Sequence, residues 1–335
     1  MLERNPYFGV DFFGFFITLA MRLFQFATGQ IGWGDLASDE IQLLVLSGIA
    51  ASAALVGSFL VLRKMTMLAN AISHTILLGI VLAYFFSLRS VESLEGHGTG
   101  SIHLPTLLGA AVLTGIATAF LTEFFTKTLR LQEDASTGLI FTSLFALGIV
   151  FVTLLTKSSH IGTEAVMGNV DALQKADCYL VLFILALNAL LIFLFYKEYL
   201  ITTFDPGLSQ ALKISTTAFN YLLMVQVSAT VVGAFRAVGV LMVLAFITAP
   251  VLSARLVTHH LKVLIALAIV YGISASLLGV ALARHLLSNY DLALSTGGIV
   301  VTVLGALFLA TLFYTMLWEK KLGIFHRKRL KGDTA

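Results

Sequence analysis

Thr66, Asn70 and His74 follow one another at intervals of four residues, with Ser73 beside them, inside an otherwise apolar run. On a helix each residue turns about 100°, so the three form one polar stripe. An imidazole can give a lone pair to a zinc, iron or nickel ion, and an amide oxygen beside it can add a weaker contact. Polar groups at membrane depth are costly and mark pathways or sites, so the stripe is a candidate wall of an ion path, with His74 as its candidate metal ligand. The plainer alternative is helix-to-helix hydrogen bonding, which histidine, serine and asparagine also supply in membranes. Asn188, Gln226, Ser228 and Thr230 read as that kind of glue, having no clustered partner in sequence.

A second candidate is local. Phe204-Asp205-Pro206-Gly207-Leu208-Ser209-Gln210-Ala211-Leu212-Lys213 joins two apolar runs. Asp205 can accept from free amides at a helix start, and Pro206 suits the first helical position. The short helix that follows puts Leu208, Ala211 and Leu212 on one side. Such a helix either docks into a groove on a partner or simply links two spans. Pro250, flanked by Thr248 and Ser253, is expected to kink or break a helix.

The elements that carry these residues follow from composition. The chain has 335 residues, 58% hydrophobic and 12% charged, against about 25% charged in a soluble domain. Apolar runs of roughly 20 residues, with no alternating strand pattern, indicate an all-α polytopic membrane protein. Candidate spans are 10–29, 41–62, 68–88, 105–125, 137–156, 178–196, 218–235, 238–257, 262–283 and 298–318, within one transmembrane domain covering 1–335. That is about 8–10 transmembrane helices, with ten the favoured count. Residues 10–29 are interrupted by Asp11, Arg22 and Gln25; they either span or lie in the interface as an amphipathic helix. They do not read as a signal peptide.

Most of the 21 Lys and Arg residues fall on one side, including Arg63, Lys64, Lys127, Arg130, Lys213, Arg255 and the basic tail 319–335. That side is expected to be cytoplasmic, with both termini there. If 10–29 does not span, only the N-terminus changes side. The basic residues are scattered among loops, so no nucleic-acid partner is expected. Cys178 is the sole cysteine, which excludes an internal disulfide and a thiolate metal site. His97, His103 and His160 fall in outer loops near Glu95 and Glu164, as ordinary solvated residues or as acceptors of an ion. No motif of a hydrolase or metalloprotease is present, and no P-loop, so the chain is not expected to be an enzyme or to hydrolyse ATP itself. A transporter working alone would be expected to bury acidic residues mid-span; Glu123 lies near a span end and Asp11 near the start of the first segment.

Four stretches resemble the permease subunit of metal-ion ABC importers for zinc, manganese or iron: LRKMTMLANAISHTILLG at 62–79, EDASTGLIFTSLFALGIVF at 133–151, FDPGLSQALKI at 204–214 and AVGVLMVLAFITAPVLSARLV at 237–257. The resemblance implies a type II ABC importer permease fold, related to cobalamin and siderophore permeases, in a bacterial inner membrane. It implies cytoplasmic ATP-binding subunits, a second permease of the same or different sequence, and an extracytoplasmic metal-binding protein. The metal ion would be cargo, with no permanently bound cofactor. Phe204, Asp205, Leu208, Ala211 and Leu212 would then meet the ATPase, and Thr66, Asn70, Ser73 and His74 would line the path. One position departs from the family pattern. Where the family has an aspartate, four residues before the histidine, this chain has Asn70. An amide and an imidazole bind a divalent ion less strongly than a carboxylate and an imidazole. Three explanations stand: a transient contact, a carboxylate supplied by a different partner permease, or a site lost from this subunit.

Overall fold

The computed structural model describes residues 5–92, 104–156 and 170–332, and they are helical wherever they form regular structure. The helices are α1 (Phe12–Ala27), α2 (Ser38–Leu62), α3 (Thr66–Glu92), α4 (Leu104–Thr128), α5 (Glu133–Thr156), α6 (Lys175–Leu194), α7 (Tyr196–Phe204), α8 (Pro206–Ala211), α9 (Thr216–Val257), α10 (Leu261–Tyr290) and α11 (Thr296–Gly332). Among the described residues, seven helical segments are long and apolar enough to cross a membrane. The outer-loop residues His97, His103 and His160 lie outside the described residues.

The bundle is built around α2, which packs on α6, α9 and α10. Its most apolar window is 83% buried, against 22% for those of α5 and α11. Small residues make that central position possible. A Cβ on Gly57 would overlap the Ile247 carbonyl of α9, and one on Gly272 of α10 would sit 2.9 Å from the Ala50 Cβ. Van der Waals contact between closely approaching backbones is the main attraction available to helices in lipid.

Both ends of α2 are finished by local chemistry. At its start Glu40 turns back to accept from the Ala37 N–H at 2.8 Å, and acidic residues in a first turn also favour the helix dipole. At its finish Lys64 takes a left-handed conformation, φ 62°. Lys64 N–H donates to Val61 O and Met65 N–H to Leu60 O, the pair of bonds that closes a helix through a left-handed residue. That turn leads directly into α3.

α9 contains the sharpest break. Gly239 has φ 74° and ψ 168°, a region open essentially to glycine alone. Before the break Thr230 packs beside Ser52 in mid-α2. After it, Val251 and Ala254 pack with Val61 and Leu264, back at the Lys64 end of the bundle. The expected spans 218–235 and 238–257 are thus two arms of one element. The break falls at Gly239, beside the boundary expected between 235 and 238, and the backbone dihedrals stay helical through Pro250.

α1 lies across the Asp39 end of the bundle. At its start, Phe12 N–H donates to His285 Nδ1 at 3.2 Å and Asn289 donates to Asp11 at 2.9 Å. Ten residues on, Arg22 pairs with Glu40 and donates to the Asp35 carbonyl. Both contacts are at the Asp39 end of the bundle. Tyr7 is buried there and donates to Glu40 at 3.0 Å; burial and the neighbouring carboxylate both hold its phenol above the ordinary value.

Candidate functional site

His74 sits two turns into α3, half-buried, with its ring against Phe141 and Phe145 of α5 at centroid distances of 5.1 and 5.4 Å. Its Nδ1 is buried and has no hydrogen-bond partner. A buried ring nitrogen without a partner costs stability. It is also what a ligand awaiting an ion looks like. Asn70, one turn earlier, is half-buried, as is Thr66 at the helix start. Ser73 behaves differently. It is fully buried, and its hydroxyl donates to Ala69 O at 2.7 Å, so it is occupied by its own helix. Among the described residues no three His, Cys, Asp or Glu side chains gather as a metal site. The stripe is a face with an imidazole, an amide and a hydroxyl, not a coordination cage.

The second candidate is built more completely. Asp205 caps α8, its Oδ1 accepting from Leu208 N–H at 2.9 Å, with Pro206 at the first helical position. The six-residue helix ends as α2 does, on a left-handed lysine, Lys213 with φ 58°. Ser209 is buried and donates to Ile214 O at 2.7 Å, closing the loop from inside. The outer face carries Phe204, Leu208 and Leu212, which are 58%, 46% and 53% exposed, with Ala211 exposed beside them. The tip is rigid, apolar and turned outward at the Lys64 end.

Arg63 connects that tip to the bundle. Its Nε donates to Thr203 Oγ1 at 2.9 Å, one terminal nitrogen to Thr202 Oγ1 at 2.7 Å and the other to Asn220 Oδ1. The guanidinium lies 5.7 Å from the centre of the Tyr199 ring. Burial pulls it down to about 10, which leaves it charged at neutral pH. One side chain thereby ties the end of α2 to α7, immediately before the tip, and to the start of α9. Nearby, Tyr221 is hydrogen-bonded to Glu123, which pairs with Lys127.

The sequence reading missed this clamp and treated Arg63 as a marker of sidedness. Asn188 and Thr230 are the interhelical glue expected of them, and Ser52 is the partner that the sequence did not name. Asn188 of α6 donates to Ser52 of α2 at 2.8 Å and to Thr230 of α9 at 2.7 Å.

A family model, described as the ABC 3 transport family, matches residues 41–315, which covers the stripe, the tip and both arms of α9. The chain belongs to that family. As an ABC 3 transport protein it has relatives along most of its length. It is 40% identical over 312 residues to a probable metal transport system membrane protein of Chlamydia pneumoniae, covering 93% of each chain. It is 32% identical over 260 residues to the manganese transport system membrane protein MntC of Halalkalibacterium halodurans, covering 78% of this chain and 81% of that protein. Among solved structures it resembles a chain of PsaBC from Streptococcus pneumoniae in complex with Fab. There the TM-score is 0.66 and the identity 28%, over 81% of this chain and 89% of that one. The fold is that of an ABC importer permease, all helical.

Proposed function

We propose that this chain is the membrane-spanning permease subunit of an ATP-driven importer of divalent transition-metal ions, manganese or zinc foremost. The match over residues 41–315 carries the reading, because relatives along that length are named as manganese and zinc transport system membrane proteins. The ATPase is a separate chain, since this sequence has no P-loop. It docks on the Phe204–Leu212 tip, whose apolar face no described residue covers. The tip shares its end of the bundle with Arg63 and Lys64, so that end is cytoplasmic. A second permease, of the same or different sequence, completes the path along α3. An extracytoplasmic binding protein delivers the ion at the Asp39 end.

His74 and Asn70 give the ion passing contacts and no trap. A path that binds tightly cannot release, and an amide in place of a carboxylate lowers affinity. Closure of the ATPases rocks the two permeases and opens the path to each side in turn.

Co-purification and uptake test the reading together. The chain, expressed with its ATPase, is expected to hold that ATPase through purification and to take up radiolabelled manganese or zinc into vesicles only with ATP. Replacing Leu208 and Leu212 together by Asp is expected to abolish ATPase retention while membrane insertion stays normal. Uptake that persists without ATP overturns the importer assignment. ATPase retention in the double variant overturns the docking site.

A further inference from the structure

His285, near the end of α10, meets the start of α1. It is half-buried, with its ring edge-on to Phe12 and Tyr290 at centroid distances of 6.4 and 6.2 Å. Its Nδ1 faces two nitrogens, the Phe12 backbone N–H at 3.2 Å and the Asn289 side-chain nitrogen at 3.1 Å. A backbone N–H only donates, so Nδ1 is the acceptor and the ring proton of this tautomer is on Nε2. Asn289 therefore turns its NH2 group to the ring, and the same nitrogen donates to Asp11 Oδ1 at 2.9 Å. Phe12 is the first residue of α1, and its amide is one of those that a helix cannot satisfy by itself. His285 supplies the acceptor from 273 residues away.

Only the neutral imidazole fits these partners. A second ring proton would sit on Nδ1, where it faces two donors and no acceptor. Turning the Asn289 amide over does not repair the match, because its oxygen would then face the Asp11 carboxylate. The titratable and charged groups around the ring are Asp11 of α1 and Arg284, Tyr290 and Asp291 at the end of α10. Arg284 is committed to Asp39 of α2, and Asp291 is exposed. Glu40 of α2 is held by Arg22 and Tyr7. Asp11 attracts an imidazolium, but Asn289 stands between the two.

We infer that His285 and Asn289 form a pH-sensitive latch for the start of α1. With the imidazole neutral, the latch holds Asp11 and Phe12 against α10. With the imidazole charged, both bonds to Nδ1 are lost and the start of α1 comes away. Arg22 still fastens the helix further along, through Glu40 and the Asp35 carbonyl. The latched state excludes the extra proton, so its stability is full above the ordinary imidazole range, about pH 6.5, and is lost as pH falls through that range. The latch lies at the Asp39 end, so on the sidedness proposed above the pH it senses is extracytoplasmic. Its chemistry does not depend on that sidedness.

Amide hydrogen exchange at the start of α1 reads the latch. The full chain in lipid nanodiscs is compared at about pH 7.5 and about pH 5.5, each rate being taken relative to the intrinsic rate at the same pH. Between these values the neutral fraction of an ordinary imidazole falls about tenfold. Protection of the Phe12 amide is therefore expected to fall several-fold, while amides in the middle of α2 keep theirs and show that the chain stays folded. His285→Gln is expected to remove the pH step, because a side-chain amide oxygen accepts without titrating. His285→Ala is expected to leave the Phe12 amide poorly protected at both values. A step that persists in His285→Gln belongs to another group and overturns the latch. So does a parent chain with no step, or one whose protection rises in acid, the sign of an imidazolium paired with Asp11. Full protection of the Phe12 amide in His285→Ala at the higher pH would show that Nδ1 does not hold the helix start, and overturns it as well.

Discussion

His74 and Asn188 are both polar residues inside apolar helices, and their surroundings separate them. Asn188 is fully buried and spends both amide protons on Ser52 and Thr230. It joins three helices and has no opening toward an ion. Interhelical hydrogen bonds in membranes contribute about 0.6 kcal/mol on average and at most about 1.7. Asn188→Ala is therefore expected to lower stability by about 1 to 2 kcal/mol, allowing for two bonds, and to leave metal selectivity unchanged. Thermal inactivation and competition uptake measure the two. Each of the two side chains keeps one buried polar atom without a partner, Asn188 Oδ1 and His74 Nδ1, but Asn188 is fully buried whereas His74 is half-buried, with part of its ring open. His74→Ala is expected to insert and to assemble with the ATPase as the parent does, while metal uptake falls. Uptake at the parent level would remove His74 from the path. Residue type and spacing alone marked His74 out. Residue type also marked Asn188 as interhelical glue, but not its partners, which are 136 and 42 residues away.

The same difference between near and far contacts governs the elements. The short helix of the tip was legible because everything that makes it is local: Asp205 caps, Pro206 starts and Leu208 and Leu212 face out, all within a few residues. The boundary expected between 235 and 238 lies just before the break in α9, but its cause was not legible, because Gly239 matters through a backbone angle that the sequence does not print. The Arg63 clamp was invisible because its three acceptors lie 139, 140 and 157 residues further along. Its consequence is mechanical. Any displacement of the tip must pass through α7 to α2 and α9, which Arg63 fastens together alongside the Tyr199 hydroxyl that donates to Gln226. A guanidinium can aim separate donors at Thr202, Thr203 and Asn220 at once, and a lysine ammonium on a flexible stem cannot. Arg63→Lys is therefore expected to keep the charge, the insertion and the bound ATPase but to loosen transmission, so that ATP hydrolysis continues with less metal moved per ATP. A fall in both rates in equal proportion would show that Arg63 serves folding alone.

At the scale of the molecule, the fold class was readable from apolar runs, but the course of the first segment was not. Its composition suits a span or an interfacial helix equally, and only tertiary contacts choose. Asp11 and Phe12 meet Asn289 and His285, while Arg22 meets Glu40 and the Asp35 carbonyl, so both parts of α1 are held at the Asp39 end. On the proposed sidedness, with the Lys64 end cytoplasmic, α1 is expected outside, α2 is the first crossing and the basic tail lies inside. This is the interfacial alternative for residues 10–29, in which only the N-terminus changes side. Cysteine accessibility decides this. In a Cys178→Ser background, a membrane-impermeant maleimide added to spheroplasts is expected to label Phe8→Cys, since Phe8 is 76% exposed, and to spare Leu208→Cys until the membrane is broken. Labelling of position 8 only after lysis would restore a spanning first helix. Equal labelling of both positions before lysis would point to leaky spheroplasts, which an impermeant dye excluded from the lumen detects independently.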